Sequence, residues 1–280
     1  MPAPKDLDPS ASPRAMLGAE LRHARERAGL SQDALGEPLF VSGSFIGQLE
    51  AGTRRIQPDV AVRLDEILGT RGFFARNGKV SVRSQHPDHF AEAADAEARA
   101  TEIRDYSGLL IPGLVQTEAY ARAVFRAYRP TGPAAVIDGL VAARLDRAHL
   151  LTDPTTPLLD VVLDEAALRR KVGGAGAMMD ALGHLVALIE AHRITAQVIP
   201  FGEGAHSAMG GSLKLMYFAD DPAFVYFEGP GQGRLEDDPA TVAAFERTYA
   251  RLWSVASSPR HSLALIQSIA EDYRHEHQHP

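Results

Sequence analysis

The run GLSQDALGEPLFVSGSFIGQLEAGTRR, Gly29 to Arg55, constrains the fold most, because it sets helix starts and stops in quick succession. Just before it, Leu17, Leu21 and Ala24 recur at helical spacing behind Arg22, Arg25, Glu26 and Arg27, and Gly29 is placed to close that helix. Ser31 is the expected N-cap of a second helix, with Gln32 on its exposed first turn and Ala34 and Leu35 facing inward. Ser42 caps a third, in which Phe45, Ile46 and Leu49 supply apolar contacts while Gly43, Ser44, Gly47 and Gln48 face outward. Gly52 stops it, and Arg54 and Arg55 follow in a loop. A last helix from about Pro58 buries Val60, Leu64, Ile67 and Leu68 before Gly69. Residues 14–71 therefore read as an all-α bundle, preceded by a flexible arm over 1–13.

Two short helices joined by a tight turn, the second with hydrogen-bonding groups at its N-terminal end, suit a helix lying in the major groove of DNA. On these residues the segment resembles the XRE-type helix-turn-helix family. The resemblance implies that Gln32 contacts a phosphate, that Gly43, Ser44 and Gln48 face base edges, and that Glu50 is structural. Ser42 and the loop residues Arg54 and Arg55 complete the DNA-binding set. Three departures stand out. The family usually has Ala where Gly36 stands and Gly where Phe40 stands, and Pro38 removes a backbone donor, so the turn is expected to be irregular. The competing reading is a bundle that serves structure or protein binding alone.

A net charge of −7 looks wrong for a DNA binder until it is divided along the chain. From Arg14 to Arg83 there are eleven Lys and Arg against eight Asp and Glu; from Ser84 onward the count is seventeen against twenty-six. A locally basic face acts on phosphates within a Debye length of ~8–10 Å, so an acidic body does not forbid DNA binding. The 280 residues suffice for two domains, and 45% apolar with 23% charged residues is an ordinary globular composition. No apolar run approaches the ~20 residues of a membrane span, and MPAPKDLDPSASPR has no apolar signal-like region, so a cytoplasmic protein is expected. The absence of cysteine excludes disulfides, thiolate metal sites and cysteine nucleophiles.

Residues 72–85 read as a linker, with Asn77-Gly78 as a turn signal. The Ala- and Glu-rich stretch from His86 to Asp105 reads as one helix, Phe90, Ala94, Glu97 and Thr101 at turn spacing and its charges solvated. After Pro112-Gly113 comes a helix with Tyr120, Val124 and Tyr128, then another from about Ala134 to Leu151. The strand LLDVVL, the short helix DEAALRRKV, the helix MMDALGHLVALIEAH and the strand ITAQVIP follow. SLKLMYFA and AFVYFEG, separated by Asp220-Asp221-Pro222, read as a hairpin, and Asp238-Pro239 and Ser258-Pro259 each start a helix. Residues 86–275 are thus expected to form an α+β domain, a small sheet flanked by helices, with 276–280 a disordered tail.

The phrases IPGLVQTEAYARAVF, VAARLDR, LDEAALRRKVGG, VIPFGEGAH and VYFEG are similar to the body of WhiJ-like regulators. That resemblance implies a transcription regulator, often encoded beside a small partner protein in an antitoxin-like pairing.

Asp160, Asp164 and Glu165 beside Arg169, Arg170 and Lys171 have the makings of an acid-base or metal site, but acidic first and basic last turns also complement a helix dipole. Gly202, Gly204, Gly210 and Gly211 around His206 would let a backbone approach a ligand, though the loop lacks a GxxxxGK[ST] cradle. His275, His277 and His279 alternate in a charged terminal segment, which favours solvation over metal binding. No GxSxG or HExxH motif occurs. We therefore expect no catalytic residues, no metal and no cofactor. The expected function is sequence-specific DNA binding in transcription regulation, as a homodimer on a pseudo-palindromic operator. The body would serve dimerisation and partner or ligand sensing. The alternative is an antitoxin-like protein that mainly sequesters a small partner.

Overall fold

The computed structural model describes residues 9, 13–77, 90–229 and 232–279. It divides into two compact units, Met1–Ser84 and Gln85–Pro280. Most of the N-terminal arm, and the expected linker from residue 78 onward, lie outside the described residues.

The first unit is helical: α1 (Pro13–Arg27), α2 (Gln32–Gly36), α3 (Gly43–Glu50), α4 (Pro58–Leu68) and α5 (Phe73–Asn77). Leu17, Leu21, Leu35, Ile46, Leu49 and Leu64 are buried at its centre, so each short helix gains from packing the stability that its length denies it. Pro58 occupies the first turn of α4, where its missing N–H costs nothing, and Gly69 closes that helix at φ +65°. The head's packing continues past Arg71 into the first residues of the expected 72–85 linker. Phe74 on α5 is fully buried in the head's core, and Asp65 of α4 accepts the Phe74 and Ala75 amides at 3.0 and 2.8 Å. A buried carboxylate that satisfies two amides at the start of α5 is a capping device placed outside the helix it caps.

The second unit contains α6 (Ala91–Glu97), β1 (Glu102–Ser107), α7 (Glu118–Tyr128), α8 (Ala134–Ala148), β2 (Leu158–Asp164), α9 (Glu165–Arg169) and α10 (Ala175–Glu190). It continues through β3 (Thr195–Ile199), β4 (Ser212–Tyr217), β5 (Phe224–Gly229), β6 (Gln232–Glu236), α11 (Pro239–Val255) and α12 (Pro259–Gln278). The sheet order is β3-β2-β1-β4-β5-β6. β1, β2 and β3 are mutually parallel, joined through helices, and β4, β5 and β6 extend the sheet antiparallel from β1. Ile103, Leu159, Leu163, Val198 and Met216 face a core shared with α7, α10 and α12, whereas Tyr106, Val162, Leu213 and Val225 face α11 through Tyr249 and Leu252. This is the α+β body that was expected, the hairpin of β4 and β5 included.

Three expectations fail here. The stretch from His86 to Asp105 is not one helix: α6 ends at Glu97, and Glu102–Ser107 is β1, a central strand paired on both edges. Ala and Glu favour helix only weakly, and burial of Ile103 and Tyr106 on opposite faces of the sheet overrides that preference. Its charges are not all solvated either. Glu97 is fully buried, held by Arg147 Nε at 2.8 Å and by Lys214 Nζ, which also lies 3.1 Å from the buried Asp105. Burial pushes the Glu97 carboxyl up, but Arg147 and Lys214 outweigh it and hold it below the usual carboxylate range. Asp105 is displaced upward, because burial exceeds the pull of Lys214. Finally, the tail expected to be disordered continues α12 to Gln278. Tyr273 is buried and donates to the Arg169 carbonyl at 2.7 Å, Lys171 pairs with Glu276, and the His277 ring lies over Gly176.

Replacing Lys214 by Met leaves the buried Asp105 without its cation and leaves Glu97 to Arg147 alone. Removing one partner from a buried charge cluster costs roughly 3–5 kcal/mol. Urea unfolding of the Lys214→Met variant is expected to show a loss of that order. A change below about 1 kcal/mol would mean that the cluster does not hold the body together.

Candidate nucleic-acid interface

In the head one carboxylate joins three helices. Glu50, at the end of α3, is fully buried and accepts from Arg25 of α1 through both Nε and Nη2, the latter at 3.1 Å. It also accepts Gln32 Nε2 of α2 at 2.9 Å, with Arg22 Nε at 3.5 Å. Arg25 Nη1 reaches on to the Leu30 carbonyl at 2.7 Å, fixing the α1–α2 turn. The hydrogen bond to Glu50, the largest influence, raises the Arg25 guanidinium above its ordinary value despite burial. The structural role expected of Glu50 is therefore visible in its contacts. The backbones also meet closely, for a Cβ on Gly18 would come within 2.6 Å of the Leu49 carbonyl oxygen.

The two-helix unit is capped as its serines suggest. Ser31 Oγ accepts the Ala34 amide at 3.0 Å, and Ser42 Oγ accepts the Phe45 amide at 3.1 Å. The turn between them is irregular in the way Pro38 implies: α2 ends at Gly36, and Glu37–Leu39 forms a single 3-10 turn. Gly36 stands where Ala is usual because the chain folds back over it, so that a Cβ would lie 2.5 Å from the Val41 carbonyl oxygen. Phe40 then takes the left-handed conformation, φ +58°, that glycine would take more cheaply.

The candidate DNA-binding residues fall into three groups. Ser42 and Ser44 are exposed. Gln32 and Arg55 are half-buried, and Gln32 is engaged by Glu50. Gly43, Gln48 and Arg54 are buried, which corrects the expectation that Gly43 and Gln48 face outward; Arg54 lies in the loop after α3, as expected, but with its side chain buried. The reasons are local. Gly43 packs against the Asp33 carboxylate, the Gln48 carbonyl closes the loop by accepting from Thr53 and Arg54 amides at 3.1 and 3.2 Å, and the Arg54 guanidinium stacks 4.3 Å above the Phe45 ring. The outer face of α3 is left to Ser44, with Gly47 and Ala51 half-buried beside it. Sequence reasoning missed the Phe45–Arg54 stack; the only signal was an aromatic followed by a cation after the helix stop.

The body's candidate chemistry resolves into structure. Asp164 Oδ1 caps α9 through the Ala166 amide at 2.8 Å, and Glu165 accepts the Phe201 amide at 2.8 Å and Arg169 Nε at 2.6 Å. Asp160 is displaced upward by burial. His206 Nε2 lies 3.1 Å from Asp164 Oδ2 and 3.3 Å from the Tyr106 hydroxyl, while Nδ1 accepts the Ala208 amide at 3.3 Å. With both ring nitrogens engaged internally, His206 anchors its glycine-rich loop to the ends of β1 and β2 and has no nitrogen left for a substrate. Among the described residues no group of three or more His, Cys, Asp or Glu is placed to hold a metal. Nor is any described helix long and apolar enough to cross a membrane.

Fold and site together define a helix-turn-helix head on an α+β body. Residues 16–72 match the family model described as a helix-turn-helix domain, which supports a DNA-binding regulatory role. Residues 90–268, more than half the chain, match the model described as domain of unknown function (DUF5753), and the chain belongs to that family. Neither description names a reaction. No curated protein and no solved structure matches the chain.

Glu50→Ala leaves Arg25 buried without its partner and frees Gln32 from α3. The expected cost is about 3 kcal/mol or more, read as loss of the head's cooperative unfolding transition. Retention of wild-type stability would show that apolar packing alone sets the helix positions.

Proposed function

We propose that this protein is a sequence-specific DNA-binding transcription regulator of the XRE type, acting as a cytoplasmic homodimer on a pseudo-palindromic operator. The observation that carries this reading is the outer face of α3. It is small and polar, and it is fixed from behind by Glu50, so a helix backbone is able to approach base edges closely without reorganising. Ser44 is the direct reader, Ser42 and the free end of α3 lie against a phosphate, and Arg55 supplies charge. Gln48 acts from inside, holding the loop that carries Arg55. The body, a WhiJ-like domain in this proposal, contributes dimerisation and senses a partner or ligand. One recognition helix reads only a few base pairs, and half-sites about 34 Å apart then measure the spacing of two heads. Our proposed boundaries are 14–71 for the head, extended by α5 to Asn77, and 86–275 for the body, extended along α12 to Gln278.

Gel shifts on the chain's own upstream DNA across a salt series test the reading. Binding is expected to prefer that sequence and to weaken steeply with salt. Ser44→Ala should cost ~1 kcal/mol, roughly fivefold in Kd, and relax preference at one position per half-site. Arg55→Ala should weaken all sequences alike. Salt-insensitive or sequence-blind behaviour of the wild-type chain would sink the proposal.

A further inference from the structure

Phe40 is 88% exposed, the most exposed of the head's large apolar side chains, and it holds a left-handed backbone conformation that a bulky residue rarely adopts. Burial does not account for it, since its ring enters no core cluster. The ring is nevertheless held in place. Arg63 of α4 lies with its guanidinium 5.4 Å from the ring centroid, and its Nη2 donates to the Pro38 carbonyl in the same turn. This ties the turn to one face of α4. Asp59, Val62, Arg63 and Glu66 follow helical spacing and are all exposed, Val62 at 48%. Phe40 and Pro38 are the exposed apolar residues of the turn, and Val62 lies next to Arg63 on the exposed side of α4. Glu37 in the turn and Asp59 and Glu66 on the same face of α4 as Arg63 add exposed carboxylates, while the exposed Arg63 is engaged by Pro38 and Phe40.

We propose that this surface docks a second protein, of a different kind from this chain, through an apolar socket that receives the Phe40 ring and a rim of Lys and Arg that meets Glu37, Asp59 and Glu66. The chemistry selects that occupant. Nucleic acid would bring phosphates against three carboxylates with the local cation already engaged, so this face is distinct from the outer face of α3. A second copy related by a two-fold axis would set the same acidic rim against itself. A preformed aromatic anchor with a charged rim is instead the arrangement found at the centre of protein–protein interfaces. The strained backbone is then kept because it aims the ring outward, and the inference stands whether or not α3 reads DNA.

The test places a photo-crosslinking benzoyl-phenylalanine at position 40 of the full-length chain in its own cells, without added DNA. The captured protein is identified, purified and titrated against wild type, Phe40→Gly and Glu37→Lys/Glu66→Lys. Glycine suits φ +58°, so Phe40→Gly is expected to melt at or above the wild-type temperature yet bind the captured protein at least tenfold more weakly. The charge reversals are expected to weaken it by a similar factor and to remove most of its salt dependence. Crosslinks only to another copy of this chain, crosslinks only to nucleic acid, no captured protein, or unchanged affinity of Phe40→Gly would each overturn the proposal. Unfolding of Phe40→Gly would show that the fold itself requires the ring and would overturn the proposal as well.

Discussion

The head depends on one carboxylate placed where no water reaches it. Glu50 is held by donors from α1 and α2, and because it sits at the end of α3, those contacts set the position of the helix on which the functional reading rests. A buried ion pair contributes little net stability over an apolar pair of the same shape, since desolvation offsets most of the attraction. What it contributes is geometry. Apolar side chains such as Ile46 and Leu49 tolerate small rotations of α3; a carboxylate shared between a guanidinium and an amide does not.

The body repeats this arrangement on a larger element. Glu97, Arg147, Lys214 and Asp105 join α6, α8, β1 and β4, while Asp164 and His206 fasten a glycine-rich loop to the strand ends. Each of these groups has the residue types of a catalytic or metal site, and each is occupied by its neighbours. These polar centres give the body defined packing at its centre.

Much of this was legible in the sequence, and the failures have definite causes. The helix caps Ser31 and Ser42, the closing Gly69 and the irregular turn at Pro38 follow from local backbone chemistry, which needs no tertiary information. The hairpin of β4 and β5 follows from alternation interrupted by Asp-Asp-Pro. By contrast, β1 was hidden inside an Ala- and Glu-rich run, because only pairing with β2 and β4 makes Glu102–Ser107 a strand. β6 was missed for the same reason. Within the interface, Ser44 could be placed from helical spacing, but the burial of Gln48 and Arg54 could not. It depends on how the loop after Gly52 folds back, through bonds to the Gln48 carbonyl and the Phe45 ring that leave no periodic signature.

The central claim is that α3 and its flanking loop form the surface that meets DNA. Hydrogen exchange of the full-length protein, measured alone and with its own upstream DNA, tests it most directly. The account predicts added protection concentrated in residues 42–55, with the first turn of α2 protected to a lesser degree. Binding that leaves these amides unchanged, or that protects the body instead, would contradict it.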